Sequence, residues 1–419
     1  MKLIYRFLTQ TKNVMRSAYI WNMIVQTANA FQTVILLMLL TRSGDLTGAA
    51  IFTIAYTVAN TLLYIGKYSI RQFQVSDVNN EYTYGEYRSA RKVTIAAMIL
   101  AAVGYLVYSV LFREYTVYKC VCLILLVAFR LIESVEDLFH GDLQKHERLD
   151  IASKIWTIRI VAYMICFAVV YLITEDLLTA LAVALIPTLL LYFLLNRAVA
   201  DLFPRENSCS ADRVKKLLQV CFPIAASTVL MIYISNTPKY AVDAVLTSEE
   251  QTGFNVVFLP VFVISLLGGY LYNPIIGKMA DAWQEGKKKE LARLTRMNAL
   301  LLLGLTAVVI AGGCLIGLRI LELLYRVDLS GYTLEFTLLM LAGGFLALYN
   351  FLTVLATVMR RQKMLLYISA VTALCLAAGS RRSLILAGTK GMCVFYAVMM
   401  MAMALVTLCR LARELRSGK

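Results

Sequence analysis

Charged side chains inside apolar sequence are the residues most suited to chemistry here. In the run 117 to 138, Arg130, Glu133 and Asp137 recur at spacings of three and four, so they share one helical face, with Glu136 beside it. Arg159 stands in the next run, 155 to 173. A charge at the bilayer centre costs at least about 2.5 kcal/mol unless it snorkels, pairs or meets water. By helical rise, Arg130 lies about 16 Å from the end marked by Lys119, near the membrane middle, and cannot snorkel without strain. Arg159 lies about 8 Å inside Lys154, within reach of the interface or of Glu133. Two readings stay open: an ion pair that fixes two helices, or a hydrated cationic site for an anionic substrate.

Polar stripes supply a second set of candidates. Asn22, Gln26, Asn29 and Thr33 fall within about 60° of one another on a helix. Tyr56, Asn60, Tyr64, Lys67 and Arg71 repeat the pattern, as do Thr228, Ser235, Lys239 and Asp243. Any single amide serves equally well as glue between helices, at about 0.6 kcal/mol per bond. Three stripes together favour a polar cavity. All six prolines lie between 187 and 274, and Pro223, Pro238, Pro260 and Pro274 mark helices seven and eight as those able to bend. The Gly pairs at 268, 312 and 343 fit close helix packing, and the Met run at 399 to 401 fits apolar filling. His140 and His146 read as solvated loop residues, and the nine cysteines, Cys120 and Cys122 included, as small hydrophobes without zinc spacing.

The elements that must position these residues follow from composition. The 419 residues are 60% hydrophobic and 16% charged, and the mean hydropathy is +0.71. A soluble domain carries about 25% charged residues, so a soluble enzyme is excluded. At roughly 22 residues per crossing, twelve helices use about 264 residues and leave only short loops. Apolar runs place them near 17 to 41, 46 to 70, 91 to 112, 117 to 138, 155 to 173 and 177 to 197. A second set follows near 215 to 237, 252 to 277, 295 to 318, 333 to 358, 364 to 380 and 389 to 409, with Arg381 and Arg382 cutting the eleventh short. In lipid such runs must be helical, which makes the fold class all-α and polytopic.

Of the 41 Lys and Arg residues, nine mark one side: Arg42, Arg113, Lys119, Lys239, Arg319, Arg326, Arg381, Arg382 and Lys390. Apart from Arg130 and Arg159 the rest mark the other, which the positive-inside rule assigns to the cytoplasm together with both termini. The excess of +15 is therefore a matter of topology rather than of nucleic-acid binding. Lys2, Arg6, Lys12 and Arg16 mark an interfacial amphipathic helix retained in the mature protein. The chain reads as a six-helix bundle over 1–200, a cytoplasmic linker over 201–214 and a second bundle over 215–419. Each half has its longest basic loop after its second helix, which suggests parallel repeats with a ligand site between them.

The segments KKLLQVCFPIAASTVLMIYISNTPKYAVDAVL (215 to 246) and GFNVVFLPVFVISLLGGYLYNPIIGKMADAWQEGKKKEL (253 to 291), with SDVNNEYTYGEYRSAR in the first half, carry a family likeness. The chain resembles the Wzx-type polysaccharide flippases of the multidrug/oligosaccharidyl-lipid/polysaccharide exporter superfamily. The resemblance implies translocation of oligosaccharide on undecaprenyl pyrophosphate across the bacterial cytoplasmic membrane by alternating access, for surface polysaccharide biosynthesis. It also implies partners among membrane lipids, polysaccharide polymerase and glycosyltransferases. In that reading Arg130, Arg159, Lys67, Arg71 and Lys239 hold the pyrophosphate, while Asn22, Gln26, Asn29, Asn60 and Tyr64 line the sugar path. No cofactor is expected, and Glu133 or Asp243 is a candidate to take up a coupling proton or sodium ion.

The nearest rival is a multidrug cation antiporter of the same superfamily, whose pocket should be net acidic. A membrane enzyme such as a polymerase or ligase should show a long external loop, which the sequence lacks. A non-transporting scaffold for glycan assembly remains open.

Overall fold

Inside hydrocarbon a backbone N–H has no partner except another carbonyl of the same chain, so long apolar runs fold as helices. The computed structural model describes residues 2–77, 80–272, 275–359 and 361–416, and among these no strand occurs. Pro274, expected to bend helix eight, lies outside the described residues.

The chain begins with α1 (Lys2–Thr9), an amphipathic helix, followed by α2 (Val14–Arg42), α3 (Leu46–Lys67), the short α4 (Ile70–Ser76), α5 (Tyr84–Arg113), α6 (Val117–Lys145), α7 (Leu149–Thr174) and α8 (Leu177–Ala198). After them come α9 (Ala211–Asp243), α10 (Ser248–Tyr272), the short α11 (Ile276–Gln284), α12 (Lys288–Gly312), a π-turn at Gly313–Gly317 and α13 (Leu318–Tyr325). The chain ends with α14 (Thr333–Val358) and α15 (Gln362–Arg416). Ten of these stretches are long and apolar enough to cross a membrane. Helix α6 falls outside that set because its charges dilute an otherwise spanning length of 29 residues. The last stretch is two helices, broken where Ala387 and Gly388 leave helical geometry. Twelve spanning helices result, and the protein is a multi-pass membrane protein.

Two compact units divide the chain, 1–225 and 226–419. The division falls inside α9, which already begins at Ala211, within the stretch read as linker. Each second spanning helix is followed by a short one, α4 and α11. In unit 1, α6 packs against α3, α5, α7 and α8, and α2 packs against α7. In unit 2, α14 packs against α10, α12 and α15. Gly344 allows that approach, since a Cβ there would collide with Thr306 of α12.

Local signals fix the ends. Asp45, Thr116 and Asp176 cap their helices through side-chain oxygens. Thr83 and Glu86 form a reciprocal capping box that starts α5 seven residues before the expected boundary at 91. Helix α6 likewise runs past 138 to Lys145, because its charged end is buried rather than solvated. His140 is therefore an interior residue at 3% exposure, not a loop residue. Helix α3 stops at Lys67, where Tyr68 and Ser69 turn left-handed, so Arg71 belongs to α4 and not to the second spanning helix. Arg381 and Arg382 do not end the eleventh helix: both are exposed and helical, and the break waits for Gly388 at φ +64°.

Helix α1 docks by its C-terminal end. Lys154 Nζ donates to the carbonyls of Phe7 and Leu8, each at 3.2 Å, and Arg148 Nη2 to that of Thr9 at 2.9 Å. Cations at a helix C-terminus satisfy carbonyls that have no intrahelical donor. Fully buried Asp150 holds Arg148 at 2.9 Å, and Leu8 is buried against α7 and α8.

Candidate functional site

The buried face of α6 carries the charges. Glu133 sits between two cations: Lys67 Nζ lies 2.7 Å from Oε1 and Arg130 Nη1 lies 2.5 Å from Oε2. One turn on, Asp137 accepts from Arg91 Nη2 at 2.8 Å and from Arg71 Nη1 at 3.5 Å. Arg71 also donates to Gln144 Oε1 through Nε at 3.1 Å and Nη2 at 2.8 Å. On the adjoining flank Glu136 accepts from Arg159 Nε at 2.8 Å and from Asn196 Nδ2 at 3.0 Å. Arg159 thus pairs with Glu136 rather than with Glu133, the carboxylate expected from spacing.

Helix positions explain why these groups meet. Residues 130, 133, 137, 140 and 144 fall along one face of α6, and α3 lies close to it because residue 66 is glycine. A Cβ on Gly66 would come within 2.6 Å of both Met98 Sδ and Ser134 Oγ. The carbonyl of Gly66 accepts from Arg91 Nη1 at 2.5 Å and Thr94 Oγ1 at 2.8 Å, which orients Arg91 toward Asp137.

Five cations, Lys67, Arg71, Arg91, Arg130 and Arg159, thus meet three carboxylates, Glu133, Glu136 and Asp137, leaving two positive charges in excess. The distribution is ordered. Arg91, Arg130 and Arg159 have side chains less than a tenth exposed, and each holds one carboxylate. Lys67 and Arg71 are the more open, at 21% and 24%, and each shares a carboxylate already held by another cation.

Around Arg130 the lining is polar and aromatic. Its guanidinium lies 4.6 Å from the Tyr56 ring centroid. Gln32 donates to Tyr56 Oη at 2.8 Å and to Asn29 Oδ1 at 2.9 Å, so Asn29 is tied to this cluster through Gln32. A cavity of about 30 Å³, enough for a water molecule, is bordered by Gln32, Tyr56, Arg130, Trp156 and Arg159. Tyr64 reaches the cluster through Lys67, whose Nζ lies 5.9 Å from its ring centroid. Asn22, half-buried, and Gln26, exposed, make no side-chain hydrogen bond among the described residues, and neither does half-buried Asn60.

The remaining candidates, Lys239 and Asp243, lie on α9 in unit 2. Lys239 Nζ is 5.3 Å from the Phe258 ring centroid and has no carboxylate partner among the described residues. Unit 2 also holds a carboxylate that spacing did not single out. Glu335, 2% exposed on α14, accepts from Thr389 Oγ1 at 2.7 Å, beside the break at Gly388, and its Oε2 has no hydrogen-bond partner among the described residues.

Apolar patterning puts Arg91 at the very edge of the third spanning helix, among the basic residues that flank it, and does not single out Gln32, Gln144 or Glu335. The capping box at Thr83 and Glu86 was the available signal for Arg91, since it starts α5 seven residues earlier and sets Arg91 inside the helix. Among the described residues no group of three His, Cys, Asp or Glu side chains is arranged to hold a metal ion.

The sequence matches no family model and no curated protein. Solved structures do match, over nearly the whole chain. An inward-facing multidrug resistance MATE family transporter of the MOP superfamily superposes with a TM-score of 0.63 at 12% identity, covering 95% of each chain. A MOP superfamily transporter from Pyrococcus furiosus, described as having a binding pocket of reverse polarity that suggests a different function, gives 0.61 at 12% identity over 97% of this chain and 96% of the other. The Vibrio cholerae MATE transporter VcmN, in its bent form, gives 0.57 at 13% identity over 96% of this chain and 99% of the other. At this level of identity the likeness establishes architecture: the chain has the twelve-helix fold of MATE transporters of the MOP superfamily.

Proposed function

We propose that this protein is an alternating-access exporter of the bacterial cytoplasmic membrane whose cargo carries an anionic head, and that the cargo is a lipid-linked oligosaccharide bearing a diphosphate. The observation that carries this reading is the charge distribution on α6. Three buried cations are matched by three carboxylates, and the two left over, Lys67 and Arg71, are the ones most open to water. An organic cation would be repelled there, whereas a diphosphate gains two charge-assisted donors. Asn29, Gln32 and Tyr56 offer amide and hydroxyl groups suited to sugar. The Pyrococcus furiosus transporter described with reversed pocket polarity has the same architecture, which supports a MOP fold put to use on cargo of other charge.

The fold supports rocking of two helical bundles, the usual basis of alternating access. For the coupling ion Glu335 is a better candidate than Glu133. Glu133 is clamped by Lys67 and Arg130, whereas Glu335 Oε2 is buried without a partner among the described residues and suits a proton or sodium ion.

A second reading, multidrug antiport, is favoured by the descriptions of the matching structures as multidrug resistance transporters. A buried unpaired carboxylate such as Glu335 would also suit an organic cation. Reconstitution in liposomes separates the two. The anionic reading expects translocation of a fluorescent prenyl-diphosphate oligosaccharide, lost in Arg130→Ala with the protein still inserted and monodisperse. Ethidium-type cation export with no movement of the anionic lipid, or unchanged anionic export by Arg130→Ala, would overturn it.

A further inference from the structure

Unit 1 holds a larger cavity that the transport reading does not use. About 1180 Å³ of space opens along α6, between α5 and α8, at the end of the bundle that the positive-inside rule assigns to the cytoplasm. Each helix lends it one face. Arg88, Lys92 and Ile95 follow at i, i+4 and i+7 on α5, Val135 and Phe139 at i and i+4 on α6, and Phe193 and Arg197 at i and i+4 on α8.

The lining is graded by depth. Arg88 and Lys92 lie near the start of α5 and Arg197 near the end of α8, so the three cations share the outer end of the groove. From Arg88 to Ile95 the helical rise is about 10 Å. Over that distance the walls turn apolar, with Ile95, Val135 at 38% exposure and Phe193 at 64%. Arg88, Lys92 and Arg197 are exposed and have no ion-pair partner among the described residues. Asp201 and the Asp142-bound Arg205 also stand at the mouth.

Two further donors there are unsatisfied. Arg205 donates through Nε to Asp142 Oδ2 at 2.7 Å and through Nη1 to the Ala200 carbonyl at 2.6 Å, yet its buried Nη2 has no partner among the described residues. Arg91, 2% exposed and also lining the cavity, has an unpartnered Nε. Buried donors without acceptors cost about 1–3 kcal/mol each, and they add to the positive character of this wall.

We propose that this groove binds an anionic phospholipid, with its phosphate among Arg88, Lys92 and Arg197 and an acyl chain along Ile95, Val135 and Phe193. Charge complementarity and the order of polarity select the occupant. A soluble phosphate would leave the apolar half unused, and the ammonium of a zwitterionic lipid would meet guanidinium groups. The inference is independent of the cargo reading, because none of the groove's exposed cations belongs to the network around Glu133.

The test is binding of fluorescent phosphatidylglycerol to the purified full-length chain in neutral detergent. Each basic residue near an anionic lipid contributes about fivefold in affinity, so Arg88→Ser, Lys92→Ser and Arg197→Ser combined should weaken binding about a hundredfold. Lys92→Ser alone should weaken it about fivefold. Arg88→Lys with Arg197→Lys should retain it, with monodisperse elution confirming the fold in every variant. Phosphatidylcholine should bind far more weakly, and glycerophosphoglycerol, the head without its chains, should not displace the lipid. Unchanged affinity in the triple variant, equal binding of phosphatidylcholine, or displacement by the free head group would each overturn the proposal.

Discussion

Arg159 and Glu136 give the sharpest test of how the charged interior is held. Their side chains are 6% and 1% exposed, and their closest atoms are 2.6 Å apart. Removing one partner of a buried pair costs about 3–5 kcal/mol, because the other charge stays buried without compensation. Glu136→Gln keeps an acceptor for Asn196, so its cost reports mainly on stranded Arg159, which cannot shed its proton. Arg159→Met should fall at the lower end of the range, since the stranded carboxylate keeps Asn196 as a donor. The double variant leaves no charge and at most an unsatisfied amide, at about 1–3 kcal/mol. The two single costs should therefore exceed the double cost by at least about 3 kcal/mol, well above the ~0.5 kcal/mol scatter of independent sites. Reversible unfolding in mixed micelles, followed by tryptophan fluorescence, measures all three. Additive costs would refute the pairing, and so would a neutral Glu136→Gln.

Two further expectations concern other parts of the chain. Burial alone would raise the Asp77 carboxyl, but the N–H groups of Tyr82 and Glu81, the Tyr87 hydroxyl and Lys145 together hold it below its ordinary value. A depressed carboxylate stabilises the fold above its unfolded-state pKa near 3.8 and loses that contribution as pH falls through the folded value. Hydrogen exchange, corrected for intrinsic rates, should show the Glu81 and Tyr82 amides protected at neutral pH and released in acid, with Asp77→Ala, which removes both acceptor oxygens, releasing them at every pH; protection that ignores both would refute the assignment. Gly388 has φ +64° and ψ −166°, a region open almost only to glycine, so Gly388→Ala should lower stability by about 1–3 kcal/mol in the same micelle assay, and an unchanged midpoint would refute the strain.

Most of the helices were legible because apolar length and basic flanks are one-dimensional signals. What failed was local. Helix ends at 84 and 145 depend on a capping box and on a charged face that finds partners inside, and neither shows in hydropathy. Two arginines at 381 and 382 suggested a stop, yet exposed side chains on a helix need no break. Within the site, spacing found Arg130, Glu133 and Asp137 because they share a helix. The partner of Arg159 and the role of Arg91 depended on which neighbours α3, α5 and α8 bring, information that one helix does not contain. The excess of cations was invisible for the same reason: Arg91, Lys67 and Arg71 stand near helix ends, and only the packing of α3, α4 and α5 on α6 brings them to its carboxylates.

The two spare cations are separated by a feature of the main chain. Lys67 ends α3, Arg71 follows the first residue of α4, and between them Tyr68 and Ser69 sit at φ +47° and +54°, a conformation that bulky L-residues seldom take. The spacing of the two side-chain origins is therefore set by a joint of two peptide units. For the diphosphate cargo proposed above, turning that joint would reset the jaw width while leaving the two cations themselves unchanged.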